Sequence, residues 1–280
     1  MDPFSITAGA LGITEFTLSS IGYLHGLIKG LDEAEDVIQD VTSDLEAIQL
    51  PLAALENLQI SDSTTYVAAK EDLKKTGVTE AVNKCGQACA DFSKMLKQWT
   101  RHSSTMKLSL RDRLSVGLWN KERVRTFRTQ VRSCRAIVQF AIESAQLVIL
   151  VRSENMSKTA RQEMANQLRI LETAIQEHIA LTNGKRDEAL QRKKELESVG
   201  DENEDEDGGA QRTLAIRETE EQSRLLEADQ TSCGVVSQLL LRLFPSQAGN
   251  SYSVVFSGSH NTGIQIGHSA GTINWGDSRT

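Results

Sequence analysis

Only three prolines and four cysteines occur in 280 residues, and aromatic residues make up 5%. Scarce proline leaves long helices unbroken. No basic n-region, apolar h-region and cleavage site open the chain, so an intracellular, reduced protein is expected, cytoplasmic at rest. Cys85 and Cys89 stand four apart, yet no second Cys/His pair offers ligand spacing. Buried helical thiols are therefore expected, and no metal. A net charge of −7 gives no footprint for nucleic acid. No phosphate-binding glycine loop, nucleophile elbow or H-E-x-x-H motif is present, and His25, His102, His178, His260 and His268 are scattered. Neither an enzyme nor a cofactor is expected.

A sharper absence is local. From Ser246 to Trp275 there is no Asp, Glu, Lys or Arg. What remains is Gly, Ser, Asn, Thr and Gln with a few β-branched and aromatic residues, too little apolar surface for a core of its own. Copies of such a segment can stack on one another. In a parallel, in-register stack each Gln and Asn amide bonds its own copy above and below, Ile264 and Ile266 share one face, and no charge repeats up the fibre. The centre, Gly263-Ile264-Gln265-Ile266-Gly267, is a palindrome about Gln265.

That core matches the amyloid-forming RHIM motif of animal necroptosis proteins. The wider pattern Asn261-x-Gly263-x-Gln265-x-Gly267-x-x-x-Gly271-x-Ile273 resembles the related fungal pseudo-palindrome motif. The resemblance implies self-templating, seeded by an NLR-type receptor or another protein bearing a similar motif.

At the other end, residues 3–28 are predicted to form one helix. Phe4, Ile6, Leu11 and Phe16 belong to its apolar run, and Gly22, Gly26 and Gly30 fall on one face, where another helix could approach closely. Glu15 and His25 interrupt the run, so a core helix in the resting monomer is expected, with membrane insertion only as an oligomer. Met1-Asp2-Pro3-Phe4-Ser5-Ile6-Thr7-Ala8-Gly9-Ala10-Leu11 looks like the opening of the HeLo and HeLo-like domains of fungal HET-S-type cell-death proteins. Those domains are all-α bundles, similar to the four-helix executioner domain of the mixed-lineage kinase domain-like proteins. The resemblance implies a bundle of four to six helices whose leading helix attacks the plasma membrane once the tail is seeded.

Between the ends the periodicity predicts helices over 32–59, with a kink at Pro51, then 63–76, 79–101, 118–152 and 156–183. In the fourth, Val124, Phe127, Val131, Cys134, Val138, Ala141, Ala145 and Val148 form a sustained seam. Arg125, Arg128, Arg132 and Arg135 share one face beside it. Between Lys97 and Arg135 eleven Lys or Arg stand against Asp112 and Glu122, a local net of +9. Such a face is either simply solvated or docks anionic lipid headgroups, at about 1 kcal/mol per basic residue. From Asp187 to Asp229 the local net is −9. The expected organisation is a HeLo-like bundle over 1–185, an acidic disordered linker over 186–232 that shields the arginines, a short amphipathic helix over 233–245, and the amyloid-forming motif over 246–280. An adaptor whose bundle binds a protein partner without killing the cell is the alternative.

His260 and His268 lie inside the charge-free segment. Stacked copies would hold like imidazoles about 4.8 Å apart, so protonation below about pH 6.5 opposes assembly. Seeded fibre growth of residues 246–280, followed by dye binding, is expected to be slower at pH 5 than at pH 8.

Overall fold

The computed structural model describes residues 4–29, 36–60, 62–101, 118–152, 158–198 and 206–243. A three-residue strand, Phe4–Ile6 (β1), opens the described chain. The helices Ala8–Leu11 (α1), Glu15–Lys29 (α2) and Asp36–Glu56 (α3) follow. A second short strand, Leu58–Ile60 (β2), pairs antiparallel with β1, Phe4 opposite Ile60. Then come Ser63–Lys75 (α4), Val78–Arg101 (α5), Leu118–Arg152 (α6), Lys158–Ser198 (α7) and Glu206–Leu243 (α8). The molecule is an all-α bundle of HeLo-like type with one minimal ribbon.

The 3–28 helix is not continuous. Gly12 adopts φ 89°, a left-handed conformation that side chains disfavour, and its N–H caps α1. Two residues of α5 hold the break in place. Thr79 Oγ1 donates to the Leu11 carbonyl at 2.9 Å, and Asn83 Nδ2 donates to the Gly12 carbonyl at 3.0 Å. Asn83 Oδ1 accepts from Thr17 Oγ1 at 3.0 Å, which ties the start of α2 to the same side chain. The apolar run is real, but capping partners from far along the chain decide its path.

The predicted helices over 63–76, 79–101 and 118–152 match α4, α5 and α6 closely. Asp62 caps α4 by accepting the Thr65 N–H at 2.7 Å, and Gly77 at φ 77° turns the chain after it. In α3 the helix runs through Pro51 to Glu56. The loop expected near 102–116 lies outside the described residues.

After residue 156 the structure departs from the predicted organisation. Helix α7 passes Gly184 without stopping and continues to Ser198. Among the described residues, 186–198 belong to α7 rather than to a disordered linker, and 206–232 run without a break into 233–243 as the single helix Glu206–Leu243; residues 199–205 lie outside the described residues. A mid-helix Gly costs about 1 kcal/mol against Ala, and burial on both sides of it offsets that, since Thr182 before it and Ala189 after it are both buried. In α8 a row of buried positions runs Ala215, Thr219, Gln222, Leu226, Asp229, Cys233, Val236 and Leu240, with Glu218 and Leu239 buried beside it. The spacing of the row alternates four and three, a heptad seam that includes Thr, Gln and Asp.

Two cores share α6. Val131, Cys134, Val138 and Ala141 join Leu24, Leu45, Ile48, Cys85 and Leu96 in the larger one. The rings of Phe92 and Phe127 stack there with centroids 4.3 Å apart. Phe140 and Leu147 join Leu168, Leu171 and Ile175 of α7 and Cys233, Val236 and Leu240 of α8 in the second. Among the described helices the α6–α8 interface is the most extensive.

Close helix approach is served by a glycine other than the predicted stripe. A Cβ on Gly86 of α5 would lie 2.7 Å from Thr17 Cα of α2, whereas Cβ atoms on Gly22 and Gly26 would meet nothing within 4 Å. Gly30 lies outside the described residues. Gly86→Ala is expected to destabilise the protein by about 1–3 kcal/mol through overpacking. Gly22→Ala and Gly26→Ala are each expected to stabilise it by up to about 1 kcal/mol through helix propensity. Urea unfolding of the three variants checks both signs.

Candidate functional site

The arginine row of α6 turns out to be built into the bundle. Arg128 pairs with Asp40 at 2.6 Å and with Asp44 at 2.9 Å, and Arg132 pairs with Asp44 at 2.8 Å, so α3 is bound to α6 by charge. Arg125 pairs with Glu122, one turn away on the same helix. Arg135 is exposed. The carboxylates that form ion pairs with Arg128 and Arg132 come from α3, not from the acidic segment expected to shield them. That segment nevertheless reaches α6: Arg123 Nη1 donates to Glu218 Oε1 at 2.8 Å, and Thr126 Oγ1 donates to the Glu218 carbonyl at 3.0 Å.

Helices α6, α7 and α8 enclose a cleft of about 210 Å³. Asp229 forms part of its wall and is 1% exposed. Ser133 Oγ donates to Asp229 Oδ2 at 2.8 Å, and His178 Nε2 lies 3.0 and 3.1 Å from the two carboxylate oxygens. One buried carboxylate thus joins three helices. The edge of Phe140 meets the His178 ring with centroids 5.5 Å apart. Farther along, Gln222 Nε2 donates to Thr129 Oγ1 at 2.9 Å, and Arg192 Nη2 donates to Gln222 Oε1 at 2.7 Å.

His178, Asp229 and Cys233 bring their ligand atoms within 4.8 Å of one another, a grouping that could hold a metal ion. The chemistry of the donors argues against it. Burial and the Asp229 carboxylate push the Cys233 thiol well above its ordinary range, away from the thiolate a metal needs. All five Arg and Lys side chains lining the cleft belong to α6 and α7 and would repel a divalent ion further. Cys85, Cys89 and Cys134 are buried free thiols, as expected. Hydrogen bonding to Cys85 and burial raise both Cys89 and Cys134.

The predicted membrane segment is divided by its role in the bundle. Phe4 and Ile6 lie in β1, Leu11 is buried in the larger core, and Phe16 is 56% exposed on α2. Gly22, Tyr23 and Gly26 share that exposed side. Helix α2 has 15 residues, about 22 Å at 1.5 Å per residue, short of a hydrocarbon core of about 30 Å. A different helix meets the length and composition for a span: Trp119–Val151 of α6, with 56% of its most apolar window buried. The predicted stacking residues Asn261, Gly263, Ile264, Gln265, Ile266, Gly267, Gly271 and Ile273 lie outside the described residues.

Sequence reasoning placed the Arg row on one face but missed His178, Gln222 and Asp229 as interhelical joints. The signal was present as the four-three spacing of α8, with polar residues at seam positions.

The SesB domain found on fungal death-pathway proteins matches residues 248–275, the charge-free segment. No curated protein and no solved structure matches the chain. A HeLo-like helical bundle carrying that tail defines the class, a fungal cell-death protein. The chain belongs to the family described as pigment biosynthesis cluster protein PigL N-terminal, whose model matches residues 1–217.

Asp229→Ala removes the acceptor shared by His178 and Ser133 and is expected to destabilise the bundle by about 2–4 kcal/mol. Asp91→Ala, on the surface of α5, is expected to change stability by less than about 0.5 kcal/mol. Denaturant midpoints for the two variants make the comparison.

Proposed function

We propose that the chain executes cell death: its tail is templated into a cross-β fibre by a receptor bearing a similar motif, and the crowded bundles then permeabilise the plasma membrane. The observation that carries this is the SesB match at 248–275, separated by four residues from the end of α8 at Leu243. The arrangement resembles that of the fungal protein HELLP. Strands in a fibre repeat every 4.7–4.8 Å or so, while a single helix with side chains is about 10–12 Å wide. Bundles tethered at that spacing cannot all keep their resting packing, and the strain falls first on α8. On this reading the chain is cytoplasmic at rest and at the plasma membrane once activated, its partners being copies of itself, the receptor, and anionic lipid met by basic residues such as Arg135.

Releasing the leading segment is demanding. Leu11, Ile13, Ile21, Leu24 and Ile28 are at most 4% exposed. At about 1.5–3 kcal/mol each, their burial is on the scale of a whole domain's stability. Only assembly and insertion together offset that loss. β1 must also part from β2, and the turn at Gly12 must straighten, before residues 3–28 form one helix long enough to span.

The test is dye leakage from anionic liposomes by the full-length protein with preformed 246–280 seeds. Leakage is expected with seeds and not without. Gln265→Pro, which removes a ladder donor, is expected to abolish both fibres and leakage. Fibres without leakage would instead support the adaptor.

A further inference from the structure

The cleft between α6, α7 and α8 has an unusual lining. Arg125, Arg128, Arg132, Lys185 and Arg192 face it, against the carboxylates of Glu188 and Asp229. The Asp229 charge is already engaged by Ser133 and His178. The arginines have partners too, but each guanidinium carries five N–H donors, and the contacts to Asp40, Asp44, Glu122 and Gln222 use only part of them.

Two donors are left over. Arg192 Nε is buried and makes no hydrogen bond: Glu122 Oε2, itself buried and without a hydrogen-bond partner, stands 3.6 Å away, beyond hydrogen-bond reach. A buried N–H without an acceptor is rare in a finished fold and marks a place where one is missing. Lys185 makes no hydrogen bond or ion pair with any described residue, though it is half-buried beside Arg132. Burial, and after it the Arg132 charge, hold its amine below the ordinary lysine value. A cation kept in that setting gains most from an anion that enters beside it.

We propose that this cleft binds a small, multiply charged phosphate anion, held by Arg125, Arg128, Arg132, Lys185 and Arg192. Planar guanidinium forks suit phosphate oxygens, and a lysine supplies a point charge. At about 210 Å³ the space falls below the range for drug-sized ligands, so the occupant is one or two phosphate groups. The group arrives either free in solution or as the headgroup of a phosphorylated lipid. Because its contacts come from α6 and α7 beside the seam with α8, the anion strengthens the joint that holds α8 down. None of this depends on the cell-death reading.

The test is thermal unfolding of the full-length protein, titrated with pyrophosphate at constant ionic strength. A second arm uses vesicles containing phosphatidylinositol bisphosphate, with neutral vesicles as control. A saturable rise in Tm is expected in one arm, and the arm that shows it identifies the source. Lys185→Met is expected to weaken the effect about tenfold, while Lys84→Ala, on the surface of α5, leaves it unchanged. Lys185→Met keeps the aliphatic stem and removes a desolvated charge, so its ligand-free Tm is expected to stay at or above that of the parent. Lys185→Arg retains binding. No saturable shift in either arm, or an equal shift in Lys185→Met, overturns the proposal.

Discussion

Val131, Cys134 and Val138 of α6 are fully buried in the core shared with α2 through α5, while Phe140 and Leu147 of the same helix are buried against α7 and α8. Among the described helices no other contributes to both cores, so α6 couples the two halves of the bundle. The halves are joined to it differently. The larger core meets α6 through aliphatic, aromatic and thiol side chains, with Arg128 and Arg132 stitched to Asp44 at the edge. Along α8 the joint is mixed: Thr219, Gln222 and Asp229 occupy seam positions that elsewhere are apolar.

That mixture explains which parts of the architecture were legible in the sequence. Where seam residues are Val, Phe, Cys and Ala, as in α6, periodicity marked both ends of the helix closely. In α8 the same four-three spacing was present, but an Asp and a Gln in it, amid a −9 segment, read as solvated linker. The deciding partners, Ser133, Thr129 and His178, lie some 50 to 100 residues away in the chain. The leading segment failed for the same reason. Nothing within residues 3–28 announces that Gly12 turns left-handed, because the groups that stabilise the turn belong to Thr79 and Asn83. The candidate site was half legible: four arginines on one face follow from spacing, whereas their pairing with Asp40 and Asp44 depends on how α3 packs.

The glycines make a related point. A stripe of small residues at four-residue spacing permits close helix contact, yet permission is not use. In the resting bundle Gly22 and Gly26 face open space, and the close crossing of α2 over α5 falls instead at Gly86. An unused stripe beside exposed Phe16 and Tyr23 leaves α2 able to pack against a second helix without first losing its contacts to the core.

On the proposed route the mixed seam of α8 has a further consequence. A net hydrogen bond contributes only about 0.5–1.5 kcal/mol, because water replaces it when the helices part. The Gln222 and Asp229 contacts therefore resist separation less than an apolar seam of equal length. Strain transmitted from the tail reaches α8 at Leu243, where Val236 and Leu240 cover the C-terminal half of α6. Peeling from that end would uncover Phe140 and Leu147 beside Leu150, which is already 44% exposed. It would do so within the Trp119–Val151 window, the one described helix with the length and hydropathy of a membrane span. Loss of α8 would thus expose lipid-seeking surface on α6 while the larger core still holds α2. On that route the first contact with a membrane would fall to α6, and release of residues 3–28 would follow it.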